Sequence, residues 1–346
     1  MKNVWIDITN SPHVVLFNPI IKEMKKKGYK VTVTARDYAQ TKGLLDMYEI
    51  DYIMFGKHMG KSKFKKLIGL IKRSLKLYKF AKNKNFDASL SMSSQYCMIA
   101  SKFLKIPHMT LFDYEYSTGH HINFRLSDRI LSPKGVGKDV FEKFGANMEK
   151  VVFFDGLKEQ FYIDYYLNND KKENVRNLLN IPKDRILITM RPEATMAHYQ
   201  TNENPLSFEI VEFLNSHKKK PIIVVIPRVE EQRKEYEVKN YENVIIPDKV
   251  INGIDLVVAS DLVIGAGGTV NREAAAVGTP VYTIYKGGKM CAVDRMLINS
   301  GKMVYIDNID DFKNIEIQKK DLKKMKRGKN LTDFYLKNLE ELIKKK

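Results

Sequence analysis

The segment VWIDITNSPHVVLFNPIIKEMKKKGYKVTVT, residues 4–34, decides the fold class. It opens with an apolar strand, VWIDI, which the Thr-Asn-Ser-Pro-His run at 9–13 ends. Over 14–27 apolar residues recur at helical spacing, and Gly28 stands where a helix C-cap belongs. The alternating residues 29–34 are typical of a second strand. A strand–helix–strand unit of about 30 residues predicts a parallel sheet.

The second half of the chain repeats this pattern. Strand-like runs alternate with helical patterns in both halves, and the second series starts at Ile186–Met190. The polar stretch 156–184 separates the halves, and 346 residues are enough for two domains of about 150 residues each. We therefore assign 1–160 to an N-terminal α/β domain. Residues 161–346 form a C-terminal α/β domain that ends in a charged helix, and each domain is expected to be a doubly wound parallel sheet.

The composition excludes several classes of protein. With 44% hydrophobic and 29% charged residues the chain is not disordered in the main, and no run approaches the roughly 18 apolar residues of a membrane span. Asp7 interrupts the first apolar run, which a secretory signal would not tolerate, so we expect a cytoplasmic protein. Cys97 and Cys291 alone cannot form a metal cluster.

The net charge is unusually positive, since 59 Lys and Arg against 41 Asp and Glu give +18. Nucleic acid and anionic membranes are the obvious partners of such a chain. However, only 12 of the cations are Arg, the residue that base readers and phosphate clamps favour. The lysine excess is equally explained by an AT-rich genome. Without a recognised binding module we expect no specific nucleic-acid partner.

A glycine-rich turn is the strongest local signal for a ligand site. In VIGAGGTVNREAAAVGTP, residues 263–280, an apolar strand runs into glycines and a helix, 270–277, begins at once. Glycines allow close approach to a ligand, and a helix N-terminus offers free N–H groups to a pyrophosphate. The pattern lacks the lysine of a P-loop and the third glycine of a dinucleotide fingerprint. The alternative is a tight turn without a ligand, in which Gly278 is a helix cap and Glu273 an ordinary carboxylate.

His13 lies at the first strand-to-helix junction, where open α/β sheets bind ligands. A neutral imidazole there could accept a proton from a hydroxyl nucleophile. The alternative is a loop or capping histidine without chemistry.

Two segments resemble GT-B glycosyltransferases. SPHVVLFNPIIKEMKKKGYKVTVTA, 11–35, looks like their opening loop with its histidine, helix and second strand, and GAGGTVNREAAAVGTP, 265–280, looks like their nucleotide-diphosphate loop. The second segment is also similar to the lipid-linked N-acetylglucosaminyltransferase of peptidoglycan synthesis and to non-hydrolysing UDP-N-acetylglucosamine 2-epimerases. The whole chain resembles an uncharacterised archaeal and bacterial family of this superfamily, through WIDITNSPH (5–13), TARDYAQT (34–41), RPEA (191–194) and GGTVNREAA (267–275). The resemblance implies two Rossmann-like domains facing across a cleft.

The resemblance also implies roles for individual residues. His13 matches the loop histidine that acts as a base in some GT-B transferases. Gly267, Gly268 and Thr269 would line the diphosphate, and Glu273 would hold the ribose.

Two further assignments depart from the patterns of known enzymes. Arg191 resembles the basic residue that neutralises phosphate, but the His-Arg pair of the epimerases is missing here. The epimerases also carry several carboxylates in the first domain, for which only Asp113 and Glu115 stand near a suitable position. Asp113 could orient His13, or it could fill a structural turn. These departures argue against a plain epimerase.

Together these residues predict a metal-independent GT-B glycosyltransferase without a cofactor. It would bind a nucleotide-diphosphate sugar, expected to be a UDP-sugar, in the interdomain cleft. It would transfer the sugar to a glycan or lipid-linked acceptor, a reaction that belongs to the synthesis of cell-envelope polysaccharides. The diphosphate would be neutralised by a helix N-terminus and Arg191. A sugar-nucleotide epimerase is the alternative. His120 and His121 are expected to be loop or acceptor-site residues rather than metal ligands, because adjacent side chains point in different directions.

The segment 57–86 carries eleven Lys and Arg residues and no acidic residue. Its apolar residues recur at helical spacing: Phe64, Leu67, Ile68, Ile71, Leu75 and Tyr78. A basic amphipathic helix of this kind could lie on an anionic membrane. The alternative is that it packs its apolar stripe on the first sheet and leaves its lysines in water.

Overall fold

The computed structural model describes residues 1–38, 40–57, 63–117, 119–168, 174–193, 205–249, 251–323 and 329–345. The chain divides into two compact units. Unit 1 comprises Met1–Tyr162 and Lys329–Lys346, and unit 2 comprises Ile163–Gly328. Each unit is built on one parallel sheet, so the predicted α/β class with two parallel-sheet domains is confirmed.

Unit 1 has a seven-stranded parallel sheet. Its strands are β1 (Asn3–Ile8), β2 (Lys30–Asp37), β3 (Tyr52–Lys57), β4 (Ala88–Met92), β5 (His108–Leu111), β6 (Arg129–Pro133) and β7 (Val151–Phe154). Its helices are α1 (Ser11–Lys26), α2 (Thr41–Met47), α3 (Lys63–Ala81), α4 (Gln95–Phe103), α5 (His120–Leu126), α6 (Lys138–Lys143) and, at the end of the chain, α15 (Thr332–Lys344), with short 3-10 helices at Met148–Lys150 and Lys158–Phe161. The strand order β3-β2-β1-β4-β5-β6-β7 reverses between β1 and β4, where such sheets bind ligands.

Unit 2 has a six-stranded parallel sheet of the same kind. Its strands are β8 (Leu187–Arg191), β9 (Ile222–Val225), β10 (Val244–Ile245), β11 (Leu262–Gly265), β12 (Val281–Thr283) and β13 (Val304–Tyr305). Its helices are α7 (Ile163–Leu167), α8 (Val175–Leu178), α9 (Leu206–Asn215), α10 (Glu230–Val238), α11 (Gly253–Ala259), α12 (Gly268–Val277), α13 (Ala292–Asn299) and α14 (Ile309–Lys313). The order β10-β9-β8-β11-β12-β13 reverses between β8 and β11.

A buried ion pair lies in the core of unit 1. Asp7 of β1 is fully buried and accepts two hydrogen bonds of 2.8 and 2.7 Å from the Arg73 guanidinium of α3. Thr34 and Ser94 donate their hydroxyls to the same carboxylate. Burial alone would raise the pKa of Asp7, but the Arg73 charge and these hydrogen bonds hold it below its ordinary value. The pair therefore fixes how α3 is turned against the sheet.

The C-terminal helix α15 belongs to unit 1, whereas the sequence had placed it in the second domain. Tyr335 is buried against Phe17 of α1. Arg129 of β6 donates to Asn338 Oδ1 and to Glu341, both at 2.8 Å. The apolar face of a helix does not specify which core it completes, and for this reason the sequence assigned the tail to the neighbouring domain. The first crossing, at 162/163, falls two residues from the predicted boundary.

Among the described residues, no helix combines the length and apolarity needed to cross a bilayer.

Candidate functional site

His13 stands in the first turn of α1, at the carboxyl end of β1. Asn10 caps this helix by accepting the Ser11 N–H at 2.9 Å, which sets where the helix begins. The His13 Nδ1 atom lies 3.3 Å from the Thr9 hydroxyl. Arg36 of β2 donates to the Thr9 carbonyl at 2.9 Å and so orders the same loop. The histidine is thus held at the point where the strand order reverses.

Burial lowers the pKa of His13 to about 4. The charge of Asp113 opposes this shift and those of Lys158 and Arg36 add to it. The imidazole is consequently neutral at pH 7. In that state its ring nitrogen can accept a proton, and a pKa of about 4 makes it a weaker base than one matched to pH 7.

A buried charge cluster occupies the same edge of the sheet. Lys158, just after β7, lies 2.8 Å from Asp113 Oδ2 and 2.6 Å from Glu159 Oε1. All three side chains are almost completely buried. The second carboxylate oxygen of Glu159 has no hydrogen-bond partner among the described residues. Asp113 is thus paired with a lysine, and its charge acts on the pKa of His13.

The adjacent histidines have different surroundings. His120 is buried against Phe124, and its Nε2 donates to the Tyr114 carbonyl at 2.7 Å. Burial lowers the pKa of His120 to about 4, so it is a neutral part of the core. His121 is exposed and accepts a hydrogen bond from Arg125. Within the described ranges, no group of three or more His, Cys, Asp and Glu side chains could hold a metal ion.

The glycine-rich turn of unit 2 joins β11 to α12. Gly267 is the N-cap of α12, and the helix begins at Gly268, two residues before the predicted start. A Cβ on Gly265 would overlap the Asn271 side chain, and one on Gly267 would overlap the Arg228 guanidinium. Thr269, the second residue of the helix, is half-buried. These glycines therefore make room for neighbouring side chains, and one of these is a cation over the helix N-terminus.

Two arginines meet beside this turn. Arg191, at the end of β8, donates to the carbonyls of Ile226 and Pro227, each at 2.7 Å. Arg228 donates to the Pro192 carbonyl at 3.0 Å. Burial lowers the pKa of Arg191 to about 10, and the nearby charge of Arg228 contributes. Within the described part of the chain, no carboxylate lies at ion-pair distance from either guanidinium, and the charge of Glu193 only partly opposes the lowering of the Arg228 pKa by burial.

Two further side chains of α12, Arg272 and Glu273, are buried. Arg272 is neutralised by Asp294, whose carboxylate lies 2.7 Å from Nε. Glu273 is buried, and its Oε2 atom lies 3.7 Å from where a Cβ of Gly253 would stand, at the start of α11. The expected ribose carboxylate thus faces the beginning of a second helix.

Sequence inspection missed Lys158, Glu159 and Arg228. Lys158 and Arg228 each follow a strand of a parallel sheet, which is the signal that could have found them. Lys158 and Arg228 were not identified from the sequence, because a single lysine or arginine in a lysine-rich chain gives no distinctive signal.

The comparisons with known proteins agree with this architecture. The chain is 29% identical over 319 residues to "Uncharacterized protein MJ0665" of Methanocaldococcus jannaschii. The matched region covers 90% of this chain and 90% of that protein. Among solved structures, the S. aureus MnaA-UDP co-structure matches with a TM-score of 0.74 at 13% identity, covering 99% of this chain and 97% of that one. The UDP-GlcNAc 2-epimerase of M. jannaschii, in complex with UDP-GlcNAc and UDP, matches with a TM-score of 0.69 at 15% identity, covering 98% and 100%.

These structural likenesses confirm the predicted GT-B fold. A family model described as "Protein of unknown function (DUF354)" matches residues 2–344, nearly the whole chain. The chain therefore belongs to this family.

Proposed function

We propose that this protein is an enzyme acting on a nucleotide-diphosphate sugar. The observation that carries the proposal is the pair Arg191 and Arg228, held by main-chain carbonyls beside the N-terminus of α12. Two guanidinium groups with no carboxylate at ion-pair distance among the described residues, next to helix N–H groups, favour a doubly charged anion. A diphosphate fits this chemistry, and it needs no metal to be neutralised there.

The nucleotide is proposed to be a uridine diphosphate. The MnaA structure and the M. jannaschii epimerase structure were both solved with UDP, and both share this fold. Gly267, Gly268 and Thr269 would contact the diphosphate, and Glu273 would accept hydrogen bonds from the ribose. The ribose role of Glu273 is tested by comparing UDP with 2′-deoxy-UDP. If Glu273→Ala lowers affinity for UDP but leaves that for the deoxy analogue unchanged, the carboxylate holds the 2′-hydroxyl.

Unit 1 would supply the proton-transfer groups of a glycosyl transfer. The acceptor hydroxyl gives its proton to neutral His13 as the new glycosidic bond forms. The bond between sugar and diphosphate breaks, and the diphosphate leaves as an anion stabilised by Arg191 and Arg228. The Lys158–Asp113 pair keeps a fixed charge pattern beside the base. The acceptor would be a glycan or a lipid-linked sugar.

An epimerase is the second candidate, and a specific observation favours it. Asp113, Glu115 and Glu159 form a set of buried carboxylates in unit 1, and only Asp113 and Glu115 were visible as candidates in the sequence. Buried carboxylates beside a neutral histidine suit proton removal and return at a sugar carbon. Epimerisation needs no acceptor, and the matched M. jannaschii enzyme is a 2-epimerase.

Thermal unfolding against UDP, UDP-sugars, NAD and ATP tests the proposal first. A ligand present at 100 times its Kd stabilises the folded state by about 2.7 kcal/mol, which raises Tm by a few degrees. A shift with UDP or one UDP-sugar alone supports the site, and the absence of any shift at millimolar nucleotide contradicts it.

The stabilising sugar nucleotide is then incubated with the protein in D₂O and analysed by mass spectrometry. Deuterium in the recovered sugar identifies an epimerase. Release of UDP that depends on an added acceptor, without deuterium incorporation, identifies a transferase.

A further inference from the structure

The helix α3 exposes apolar side chains and buries polar ones. Leu67, Ile71 and Leu75 are 54%, 54% and 53% exposed, whereas Arg73 and Ser74 are 4% and 6% exposed. Three of the residues that the sequence grouped into an inward apolar stripe therefore face solvent. The alternative in which this stripe packs on the sheet and the lysines alone meet water is wrong for these three residues.

The orientation of α3 is fixed from its buried side. Arg73 donates to both oxygens of Asp7 and, at 2.8 Å, to the Phe55 carbonyl. Its guanidinium lies 4.6 Å from the centre of the Tyr96 ring. One turn further on, Leu77 packs in a core cluster with Trp5. Rotating the helix to bury Leu67, Ile71 and Leu75 would break the buried ion pair, so their exposure is built into unit 1.

The exposed half of α3 is also basic. Lys72, Lys76 and Lys79 are exposed, and at 100° per residue they lie beside the apolar residues 71 and 75. No acidic residue occurs anywhere in 57–86. The surface thus combines a row of aliphatic side chains with a row of cations. We call these six residues, Leu67, Ile71, Leu75, Lys72, Lys76 and Lys79, the basic–apolar face.

A second copy of this chain fits that face poorly. A two-fold interface places the same patch on both partners. Pairing two basic–apolar faces would bring two sets of lysines together without a carboxylate in α3 to neutralise them. The face needs a partner that is negatively charged over its surface and accepts aliphatic side chains at shallow depth.

We propose that the basic–apolar face of α3 binds an anionic lipid surface. The aliphatic side chains would enter the boundary between headgroups and acyl chains, and the lysines would contact the phosphates. This inference stands independently of the nucleotide site, because none of its residues belongs to that site. It makes the protein a peripheral membrane binder, with the sheet of unit 1 behind the docked helix.

The test is co-flotation of the full-length protein with vesicles at physiological salt. Vesicles of phosphatidylcholine alone are compared with vesicles containing an equal amount of phosphatidylglycerol, and binding is expected only to the latter. The variant K72E/K76E/K79E should lose at least about tenfold in apparent affinity, since each lysine near an anionic surface contributes to binding. L67Q/I71Q/L75Q should weaken binding by a similar factor, because aliphatic burial is lost.

Matched variants separate this face from the general positive charge. K218E/K219E/K234E changes the net charge equally at exposed lysines of unit 2, and L178Q/V238Q/L322Q removes exposed aliphatic side chains there. Both unit 2 variants should bind the anionic vesicles as strongly as the unchanged protein does. Equal losses in the unit 2 and α3 variants would overturn the proposal, as would no binding to anionic vesicles. A dimer that L67Q/I71Q/L75Q dissociates, with vesicle binding unchanged, would assign the face to a second copy instead.

Discussion

The charged side chains at the carboxyl ends of the two sheets have different partners. In unit 1 the cation Lys158 is enclosed by Asp113 and Glu159, and His13 is kept neutral by burial. In unit 2 the cations Arg191 and Arg228 are held by carbonyl groups that carry no net charge. On the proposed function, unit 1 would move protons within a cluster in which one lysine is shared by two carboxylates. On the same proposal, unit 2 would attract an anion to its two arginines.

The largest expected effect comes from removing the base of unit 1. His13→Ala should lower turnover by about 10² to 10⁴, the usual range for loss of a general base. Nucleotide affinity, measured by calorimetry, should stay unchanged because that site belongs to unit 2. His121→Ala, at an exposed histidine of the same unit, is the control. Near-normal turnover in His13→Ala would show that this histidine is structural.

Lys158→Met probes the balance of the buried cluster. Removing the cation leaves two buried carboxylates uncompensated, so the free energy of unfolding should fall by about 3–5 kcal/mol. Urea denaturation measures this change. Lys150→Met, which removes a half-exposed lysine 3.9 Å from Asp128, should cost less than about 1 kcal/mol. Adding Glu159→Gln to Lys158→Met should recover part of the loss, and no recovery would mean that Lys158 does not compensate the charge of Glu159.

Arg228→Ala tests the proposed anion site of unit 2. Loss of one charged hydrogen-bond donor should weaken UDP binding by about 10- to 100-fold, with little change in stability because no buried carboxylate is left unpaired. Arg233→Ala removes a partly exposed arginine that pairs with Glu237, and it should leave affinity unchanged. If both variants bind UDP equally well, the two-arginine site does not hold the diphosphate.

A further expected effect is an acid-sensitive stability of unit 1. Burial lowers the pKa of His13, His108 and His120 to about 4, 3 and 4, against 6.5 in the unfolded chain. Their contribution is complete above pH 6.5 and is lost as the pH falls towards 4, because the unfolded state then binds more protons. Hydrogen exchange followed peptide by peptide should show unit 1 loosening first. His108→Gln should flatten this dependence, and an unchanged pH profile would contradict the assignment.

Much of the fold was accessible from the sequence because it depends on local patterns. The alternation in 29–34 and the helical spacing after Pro12 each specify an element, and successive elements of this kind leave few topologies. His13 and the glycine turn were found in the same way, as interruptions between a strand and a helix. Their positions are confirmed by the structure, while their roles stay predictions.

What escaped prediction depends on contacts between distant segments. Lys158 meets Asp113 only because β5 and β7 end at the same edge of the sheet. Arg73 looks like one more cation of a basic helix until its partner Asp7, 66 residues away, is known. The orientation of α3 follows from that pair, and helical spacing alone left open whether its apolar stripe faces the sheet or the surface. Pairings of single charges leave no periodic signal in a chain.

The position of α15 has a consequence for synthesis and for dissection of the molecule. Its residues follow those of unit 2 along the chain, so unit 1 stays incomplete until unit 2 has been made. Domains generally fold in order from the N-terminus. Here unit 1 cannot complete its folding before unit 2 has been synthesised. A fragment ending at Tyr162 would expose the surfaces of Phe17 and Arg129 that α15 covers. To isolate unit 1, residues 1–162 must be joined to 329–346, and a shortened C-terminus damages the N-terminal unit.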